Sequence, residues 1–195
     1  MNVDKKKIVF IINPNSGTHD KEAILRWIDE ELNDNLYIKK IIYTEYAGHA
    51  TKLAAQYAQE GVYAVVATGG DGTINEIARS LVHTDTALGI IPCGSGNGLA
   101  RHLQIPLDPR KAVDILNRGK VETIDYGKIN GTPFFCTCGV GFDALVSLKF
   151  SQAGRRGPLM YLEQTLRESL QYKPEVYELE VDGNVSAHHK TFLIA

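Results

Sequence analysis

The 195-residue chain has the composition of an ordinary folded protein, with 44% hydrophobic residues and a mean hydropathy of -0.16. Its formal net charge of -2 gives no electrostatic reason to expect a nucleic-acid partner. The chain contains no run approaching the about 18 apolar residues of a membrane-spanning helix, and its odd count of three cysteines fits a reducing compartment. We therefore expect a cytoplasmic protein with a substantial core, organised as one large or two unequal domains.

Strand and helix patterns alternate along the first 120 residues. Short apolar runs bounded by turn residues predict buried strands at 8–12, 37–43, 62–67 and 87–92. Apolar residues recurring every three to four positions predict helices at 21–32, 48–61, 74–81, 99–103 and 108–119. This alternation indicates parallel strands joined by crossover helices, and hence an open, mostly parallel α/β sheet with helices on both faces.

After about residue 120 the pattern changes to short strands and hairpins. Residues 121–142 read as strands joined by an Asn130-Gly131 turn, and a second hairpin is predicted around Asp182-Gly183. We expect an α/β domain over residues 1–124 and the beginning of a β-rich domain over residues 125–195. The last residues form an apolar strand pattern without a turn or tail, so we also expect that this second domain is truncated.

Three glycine-rich turns follow predicted strands: "NPNSG" at 13–17, "GGDGT" at 69–73 and "CGSGNG" at 93–98. In an open α/β sheet, ligands bind at the carboxyl ends of the strands. Glycines let backbone N–H groups approach an anion closely, and a helix N-terminus adds about half a positive charge. Each turn alone could be a plain tight connection, but three at one sheet edge predict a phosphate-binding site.

Asp71 is the single acid among these glycines. A carboxylate beside phosphates is repelled unless a cation intervenes, so its presence indicates magnesium, bound through water. The alternative is a helix N-cap, a role for which Thr73 competes and in which Glu76 would complete a capping box. Asn75 and Glu76 would then lie on the first helical turn, within reach of a ribose or a metal-bound water.

Two other patterns carry less weight. The chain has no P-loop motif. It does contain a dinucleotide fingerprint, "GVGFDA" at 139–144, but this motif lies in the β-rich part. A nicotinamide oxidoreductase is therefore a low-ranking alternative. Cys136 and Cys138 lack a second cysteine pair, so alternating strand residues explain them better than a metal site does.

The motifs "NPNSG", "TEYAGHA", "GGDGTINE" and "PCGSGN", in this order and spacing, resemble the diacylglycerol kinase catalytic domain superfamily. That group includes bacterial soluble lipid kinases, sphingosine kinases and ceramide kinases. The resemblance extends from about Ile8 to "RGPLMY" and so covers nearly the whole chain. "GGDGT" alone is shared with NAD kinases and phosphofructokinase-like folds, whereas "GGDGTINE" combined with "PCGSGN" is much more specific to the lipid kinases.

The resemblance implies a two-lobed enzyme that binds ATP and Mg²⁺ between an α/β lobe and a β-sandwich lobe, as in the NAD kinase and diacylglycerol kinase folds. It implies phosphoryl transfer to a membrane lipid reached from the cytoplasmic face, with the protein peripheral at the inner membrane surface, and it leaves room for a homodimer. The metal network would include Asp71 and Asp125, through water. The residues that the motif match assigns to the nucleotide are Asn13, Pro14, Asn15, Ser16, Gly17, Thr44, Gly69, Gly70, Asp71, Gly72, Thr73, Ile74, Asn75, Glu76, Gly94, Ser95, Gly96 and Asn97.

Two departures from the family pattern limit this assignment. Gly98 stands where many bacterial members have an aspartate, which leaves the acceptor open between diacylglycerol and a sphingoid base. The family's catalytic base belongs to a later "DGE"-like motif that "VDGN" at 181–184 does not match, so we expect the base beyond Ala195. A NAD-kinase-like soluble phosphotransferase and a non-catalytic nucleotide-binding regulatory module remain as alternatives.

Overall fold

A computed structural model describes residues 4–17, 20–152 and 172–195. The chain divides into two compact units, Met1–Cys136 and Thr137–Ala195. The elements of the first unit are β1 (Lys6–Ile12), α1 (Lys21–Glu31), β2 (Tyr37–Tyr43), α2 (His49–Gln59), β3 (Ala64–Gly69), α3 (Asp71–Leu81), β4 (Ala87–Pro92), α4 (Gly98–His102), α5 (Pro109–Asn117), β5 (Gly127–Ile129) and β6 (Thr132–Phe134). Those of the second are β7 (Val140–Gly141), α6 (Phe142–Gln152), β8 (Glu175–Val181), β9 (Asn184–Thr191) and β10 (Leu193–Ile194).

The first unit is built on a four-stranded sheet in the order β2-β1-β3-β4. All three strand pairings are parallel, and Phe10 in the central strand β1 lies between Ile41 and Val66. The predicted fold class, an open α/β sheet, is therefore confirmed.

Helices cover both faces of this sheet because the side chains of a strand alternate between the two faces. On one face, Ile8 and Phe10 pack with residues of α1 and α5. On the other face, Val9 and Ile11 pack with residues of α2, α3 and α4. The apolar runs read from the sequence are thus buried on both sides, as parallel strands require.

The β5–β6 hairpin turns at Asn130 and Gly131, whose φ angles of 47° and 77° are both positive. This is the backbone that a two-residue type I′ turn needs, which explains the Asn-Gly pair and confirms the predicted hairpin. The hairpin belongs to the first compact unit. The predicted domain boundary after residue 124 stays a prediction, since compactness alone does not define a domain.

The second unit contains antiparallel pairs in its described residues. β8 pairs with β9 through a turn at Asp182 and Gly183, with φ angles of 52° and 78°, as predicted. β7 has β10 as its antiparallel partner within the described part of the chain, so "GVGFDA" does not open a parallel βαβ unit there. None of the helices described in either unit combines the length and apolar character that crossing a membrane requires.

Candidate functional site

The three glycine-rich turns lie at the carboxyl edge of the sheet, where its strand order reverses. β1 and β3 are neighbours, but α1 follows β1 on one face of the sheet and α3 follows β3 on the other. The two connections therefore diverge and open a crevice between them. Such a switch point is where open α/β sheets bind their ligands.

The first turn, 13–17, contacts the residue that follows β4. Asn13 N–H donates to the Thr68 carbonyl at 3.1 Å, which places the start of the turn on the end of β3. Gly17 has a φ of +62°, and a Cβ atom on it would lie 1.6 Å from the carbonyl oxygen of Cys93. Gly17 is therefore required by this close backbone contact as well as by its left-handed conformation.

Side-chain hydrogen bonds connect the first turn to the second. Asn13 Nδ2 donates to Thr73 Oγ1 at 3.1 Å, while Asn13 Oδ1 accepts the Asn15 N–H at 2.9 Å. Ser16 Oγ donates to the Asn13 carbonyl at 2.8 Å. Asn13 thus fixes the shape of its own turn and attaches that turn to the start of α3.

Asp71 connects the second turn to the third. Its Oδ2 accepts the Asn97 N–H at 2.8 Å, and its Oδ1 accepts the Gly98 N–H at 2.7 Å. These are the first N–H groups of α4, so the carboxylate satisfies donors that a helix start leaves without intrahelical partners. Asp71 is therefore a cap for α4, a helix that begins 27 residues later in the chain.

The alternative interpretation of Asp71 as the N-cap of α3 is wrong. Gly70 is the N-cap residue, and no side chain caps this helix. Thr73 is engaged with Asn13, and Glu76 Oε1 accepts the Gly48 N–H at 3.1 Å, which ties α3 to the start of α2. The predicted capping box does not form because both side chains find partners far away in the chain.

Contacts within the protein explain the absence of side chains at three glycines of the second and third turns. A Cβ atom on Gly69 would lie 2.6 Å from Thr73 Oγ1, and one on Gly94 would lie 2.7 Å from the Cα of Gly70. On Gly96 it would lie 2.7 Å from Asp71 Oδ2. Gly94 thus lets the two turns pack backbone against backbone, whereas Gly69 and Gly96 make room for the side chains of Thr73 and Asp71.

Gly72 is different from its neighbours. A Cβ atom on Gly72 would meet no described atom within 4 Å, and the residue lies in the first turn of α3. Neither packing nor a positive φ angle requires glycine here. The described residues therefore give no packing reason for a missing side chain at Gly72.

The predicted nucleotide-binding residues differ in accessibility. The exposed ones are Pro14, Asn15, Gly17, Asp71, Gly72, Ser95 and Gly96. The half-buried ones are Asn13, Thr44, Gly70, Asn75, Glu76 and Gly94. The buried ones are Ser16, Gly69, Thr73, Ile74 and Asn97.

Two of the buried residues have structural roles. The Ile74 side chain packs in the core, and its N–H bonds to the Gly70 carbonyl at 3.1 Å. Asn97 holds the third turn closed: its Oδ1 accepts the Gly94 N–H at 2.9 Å, and its Nδ2 donates to the Gly94 carbonyl at 2.7 Å. Both residues stabilise the turns from the buried side.

Thr44 lies next to the first turn, and Asp125 lies outside the regular elements. Thr44 N–H donates to the Ile12 carbonyl at 2.9 Å, so the residue after β2 sits beside the start of the first turn. Asp125 is exposed in the segment between α5 and β5, which has no regular secondary structure.

Two cations beside the turns were not predicted from the sequence. Lys21 Nζ donates to the Ser16 carbonyl at 2.5 Å and lies 3.3 Å from its Oγ. Arg101 Nε donates to the Gly96 carbonyl at 2.8 Å. Each cation keeps further N–H donors, so both can add positive charge where an anion would bind. The sequence feature that could have identified them is that each lies within a few residues of a glycine-rich turn.

An aromatic pair beside Thr44 was also missed. The rings of Tyr46 and His49 stack with centroids 4.6 Å apart and an interplanar angle of 7°, and Tyr46 is 51% exposed. His49 Nδ1 accepts the Glu45 N–H at 3.1 Å, which fixes the ring orientation. The neighbouring Gly48–Glu76 hydrogen bond ties this start of α2 to α3.

Cys93 begins the third turn, and its side chain is buried. Burial raises the pKa of its thiol above the ordinary value of 9.0, and the Lys21 ammonium opposes that shift only in part. The thiol is therefore neutral at physiological pH and serves as a small buried packing group.

The donor set suits a hydrated magnesium ion. In the described ranges, no three His, Cys, Asp or Glu side chains cluster as a metal cage would require. Each oxygen of Asp71 accepts one N–H and keeps further acceptor capacity on an exposed side chain. Mg²⁺ retains several waters and is held by one or two carboxylates plus substrate phosphates, so the residues present fit that ion.

Comparisons with known proteins agree on one family. The family model described as "Diacylglycerol kinase catalytic domain" matches residues 7–129. The chain is 32% identical to a diacylglycerol kinase of Bacillus subtilis (strain 168) over 187 residues, covering 92% of this chain and 61% of that protein. It is 31% identical to a diacylglycerol kinase of Staphylococcus aureus (strain JH9), covering 93% of this chain and 59% of that protein.

A solved structure of a diacylglycerol kinase from Bacillus anthracis (strain Sterne) has the same fold. It matches with a TM-score of 0.74 and 26% identity, covering 98% of this chain and 63% of that one. The chain thus spans about three fifths of the length of these relatives.

Proposed function

The chain belongs to the diacylglycerol kinase catalytic domain family, and from that premise we propose that it carries the ATP-binding site of a lipid kinase. One observation supports this most strongly. The three glycine-rich turns contact one another at the switch point of a parallel sheet, through the Asn13–Thr73 and Asp71–Asn97 hydrogen bonds. Such a crevice, with exposed backbone and cations at its edge, is suited to a polyphosphate.

In this proposal the exposed backbone of the turns binds the ATP phosphates. Gly72 leaves room for close approach, while Lys21 and Arg101 supply positive charge. Asp71, and Asp125 with it, would hold waters of the bound magnesium ion. Magnesium, when bound, neutralises charge on the phosphate oxygens. The contribution of the chain is then chiefly positioning and electrostatics.

The reaction we propose is transfer of the γ-phosphoryl group to a lipid hydroxyl. The bond between the γ-phosphorus and the β–γ bridging oxygen breaks, a bond from the γ-phosphorus to the acceptor oxygen forms, the acceptor hydroxyl gives its proton to a general base, and ADP leaves. The acceptor is diacylglycerol or a sphingoid base. Because such acceptors reside in the bilayer, the protein would act at the inner membrane surface from the cytoplasmic side.

A labelled-ATP assay tests this proposal with the full-length protein. [γ-³²P]ATP and Mg²⁺ are supplied with vesicles that contain diacylglycerol, sphingosine, ceramide or phosphatidylglycerol, and separately with NAD in solution. We expect label in diacylglycerol or sphingosine, and loss of that label in Asp71→Ala but not in Asp114→Ala, whose carboxylate is paired with Arg118 on α5.

Two outcomes would contradict the proposal. Labelled NAD without labelled lipid would show a NAD-kinase-like phosphotransferase. ATP binding without transfer to any acceptor would instead favour a regulatory nucleotide-binding module.

A further inference from the structure

A cleft at the amino edge of the sheet, opposite the three glycine-rich turns, is lined by cations. Lys5, Lys6 and Lys7 line it at the start of β1, and all three residues are exposed. The cleft has a volume of about 640 Å³, which is within the usual range for small-molecule sites. Three positive charges are thus gathered in one cleft of a chain whose formal net charge is -2. We call it the lysine-lined cleft.

The sheet holds the lysine segment in place. Lys6 N–H donates to the Leu36 carbonyl at 2.9 Å, and the Lys7 carbonyl accepts the Tyr63 N–H at 2.9 Å. Lys6 Nζ lies 4.0 Å from the centroid of the Tyr63 ring, which is a cation–π contact. The Tyr63 ring is stacked in turn on Tyr37. One ammonium group therefore has a defined place in the cleft before any ligand binds.

The connection between α3 and β4 lines the same cleft. Thr84 Oγ1 donates to the Leu81 carbonyl at 2.8 Å, and Thr86 Oγ1 donates to the Val62 carbonyl at 2.9 Å, so both hydroxyl protons are used within the protein. Asp85 lies between these threonines and is exposed. Its carboxylate therefore supplies the cleft with a hydrogen-bond acceptor.

The lysines and Asp85 line one cleft without pairing with each other. Among the residues that the structure describes, none of these four side chains forms an ion pair. Both kinds of charge are thus available to a ligand that reaches between them. Ammonium groups bind phosphate as compact point charges, and an ionised carboxylate accepts hydrogen bonds from hydroxyl or ammonium groups.

We infer that the lysine-lined cleft binds a phosphate ester that also carries a hydroxyl or ammonium group, with the phosphate on the lysines and the donor group on Asp85. A soluble ester and the headgroup of a phospholipid present the same chemistry. No residue of the three glycine-rich turns lines this cleft in the described part of the chain, so it is a separate site from the one proposed for ATP. The inference does not depend on the proposed function.

A simpler role for the lysines would be to stabilise a helix end. Gly61, just beyond the end of α2, also lines the cleft, and the last turn of α2 contains no basic residue. The carbonyl end of a helix carries about half a negative charge, which nearby cations stabilise. In that role the lysines would affect the stability of the protein and not the binding of a ligand.

Titration calorimetry of the full-length protein, with and without saturating Mg·ATP, tests the inference. The probes are glycerol phosphate, phosphoethanolamine and inorganic phosphate. We expect saturable binding of at least one of the two esters, tighter than that of inorganic phosphate and unaffected by Mg·ATP. In the double variant Lys5→Gln/Lys7→Gln, affinity for that ester should fall by at least about tenfold.

Asp85→Asn distinguishes a formed site from a general cluster of cations. Loss of the acceptor charge should weaken ester binding by about fivefold, because the donor group of the ester loses a charged partner. Inorganic phosphate should bind equally well or more tightly, since a repelling charge is gone. Lys40→Gln is the matched control: Lys40 is exposed and its Nζ lies 5.0 Å from the Tyr57 ring centroid, but it does not line the cleft. It should leave ester affinity unchanged.

Vesicle flotation distinguishes the two sources of the ester. Vesicles of phosphatidylcholine, whose headgroup has no hydrogen-bond donor, are compared with vesicles that also contain phosphatidylglycerol or phosphatidylethanolamine. Selective binding to the mixed vesicles that is lost in Lys5→Gln/Lys7→Gln would identify a lipid headgroup as the ligand. Binding of the free ester without selective flotation would identify a soluble ligand.

Absence of saturable ester binding up to about 10 mM, together with absence of selective flotation, would overturn the inference. Tighter binding of every anion by Asp85→Asn would also overturn it, because that pattern indicates a general cluster of cations. So would a lower melting temperature with unchanged ester affinity in Lys5→Gln/Lys7→Gln, which is the helix-end role. Loss of ester binding on addition of Mg·ATP would place the ester at the three turns instead.

Discussion

The carboxylate of Asp71 accepts the backbone N–H of Asn97 at 2.8 Å and thereby joins two turns that are 26 residues apart in the chain. Its other oxygen accepts the N–H of Gly98. An acid among glycines that are suited to phosphate binding thus has a second role, because it holds the third turn in place before any ligand arrives. Under the proposed function, the same carboxylate serves the fold and the magnesium ion at once.

Replacing Asp71 should weaken both stability and nucleotide binding. Asp71→Ala leaves two N–H groups without their acceptors and should lower the free energy of unfolding by about 1–2 kcal/mol. Asp71→Asn keeps one oxygen and should lower it by less. Both variants should bind Mg·ATP at least about tenfold more weakly, which corresponds to roughly 1.4 kcal/mol. Urea unfolding and titration calorimetry measure the two effects.

Asp114→Asn is the control for that experiment. Asp114 forms an exposed ion pair with Arg118 one helical turn away, so its loss should cost no more than about 0.5 kcal/mol and leave ATP binding unchanged. Full stability of Asp71→Ala would show that the carboxylate does not hold the third turn.

Gly17 and Gly72 should respond in opposite ways to substitution by alanine. Gly17→Ala places a Cβ atom against the Cys93 carbonyl at a positive φ angle, so it should lower the free energy of unfolding by roughly 1–3 kcal/mol. Gly72→Ala fills open space within α3 and should raise stability by up to about 1 kcal/mol. Thermal and urea unfolding distinguish the two.

The ATP affinity of Gly72→Ala gives the more informative result. If the open space above Gly72 is where the phosphates approach, the added methyl group should weaken Mg·ATP binding although the protein is more stable. Undiminished affinity in this variant would argue that no ligand approaches Gly72.

Cys93 should make the stability of the protein sensitive to alkaline pH. Burial raises the pKa of its thiol in the folded state, so the unfolded chain loses this proton at a lower pH than the folded one does. The contribution to stability is therefore complete below the ordinary thiol pKa and is lost as pH rises through the folded value, from about pH 9 upward.

Urea unfolding between about pH 8 and pH 10 measures this dependence. The free energy of unfolding of Cys93→Ala should decline less over this pH range than that of the unmodified protein. Equal declines in both would assign the alkaline sensitivity to other groups.

The sheet could be predicted because its signals are local. Apolar runs such as "IVFII" in β1 are buried on both faces, and the Asn130-Gly131 pair has the backbone preference that its turn requires. These patterns depend on residues close together in sequence, so the order of strands and helices follows from them directly.

The partners of individual site residues could not be predicted in the same way. The sequence around Thr73 and Glu76 has the form of a capping box, but Thr73 bonds to Asn13, 60 residues away, and Glu76 bonds to Gly48, 28 residues away. A long-range partner outcompeted the local one in each case. Lys21 is a different case, because its partner Ser16 lies only five residues away in the chain.

A rival location for an anionic ligand lies at the opposite, amino edge of the sheet. An open cleft there is lined by Lys5, Lys6, Lys7, Gly61 and Tyr63, among others. Lys6 Nζ lies 4.0 Å from the centroid of the Tyr63 ring. This lysine-lined cleft is basic, but it has none of the three glycine-rich turns.

Hydrogen–deuterium exchange of the full-length protein with and without Mg·ATP decides between the two edges. If the three turns form one phosphate-binding site, Mg·ATP should slow amide exchange in 13–17, 70–73 and 94–98 together. Protection confined to the lysine-lined cleft, with exchange in the three turns unchanged, would contradict that account.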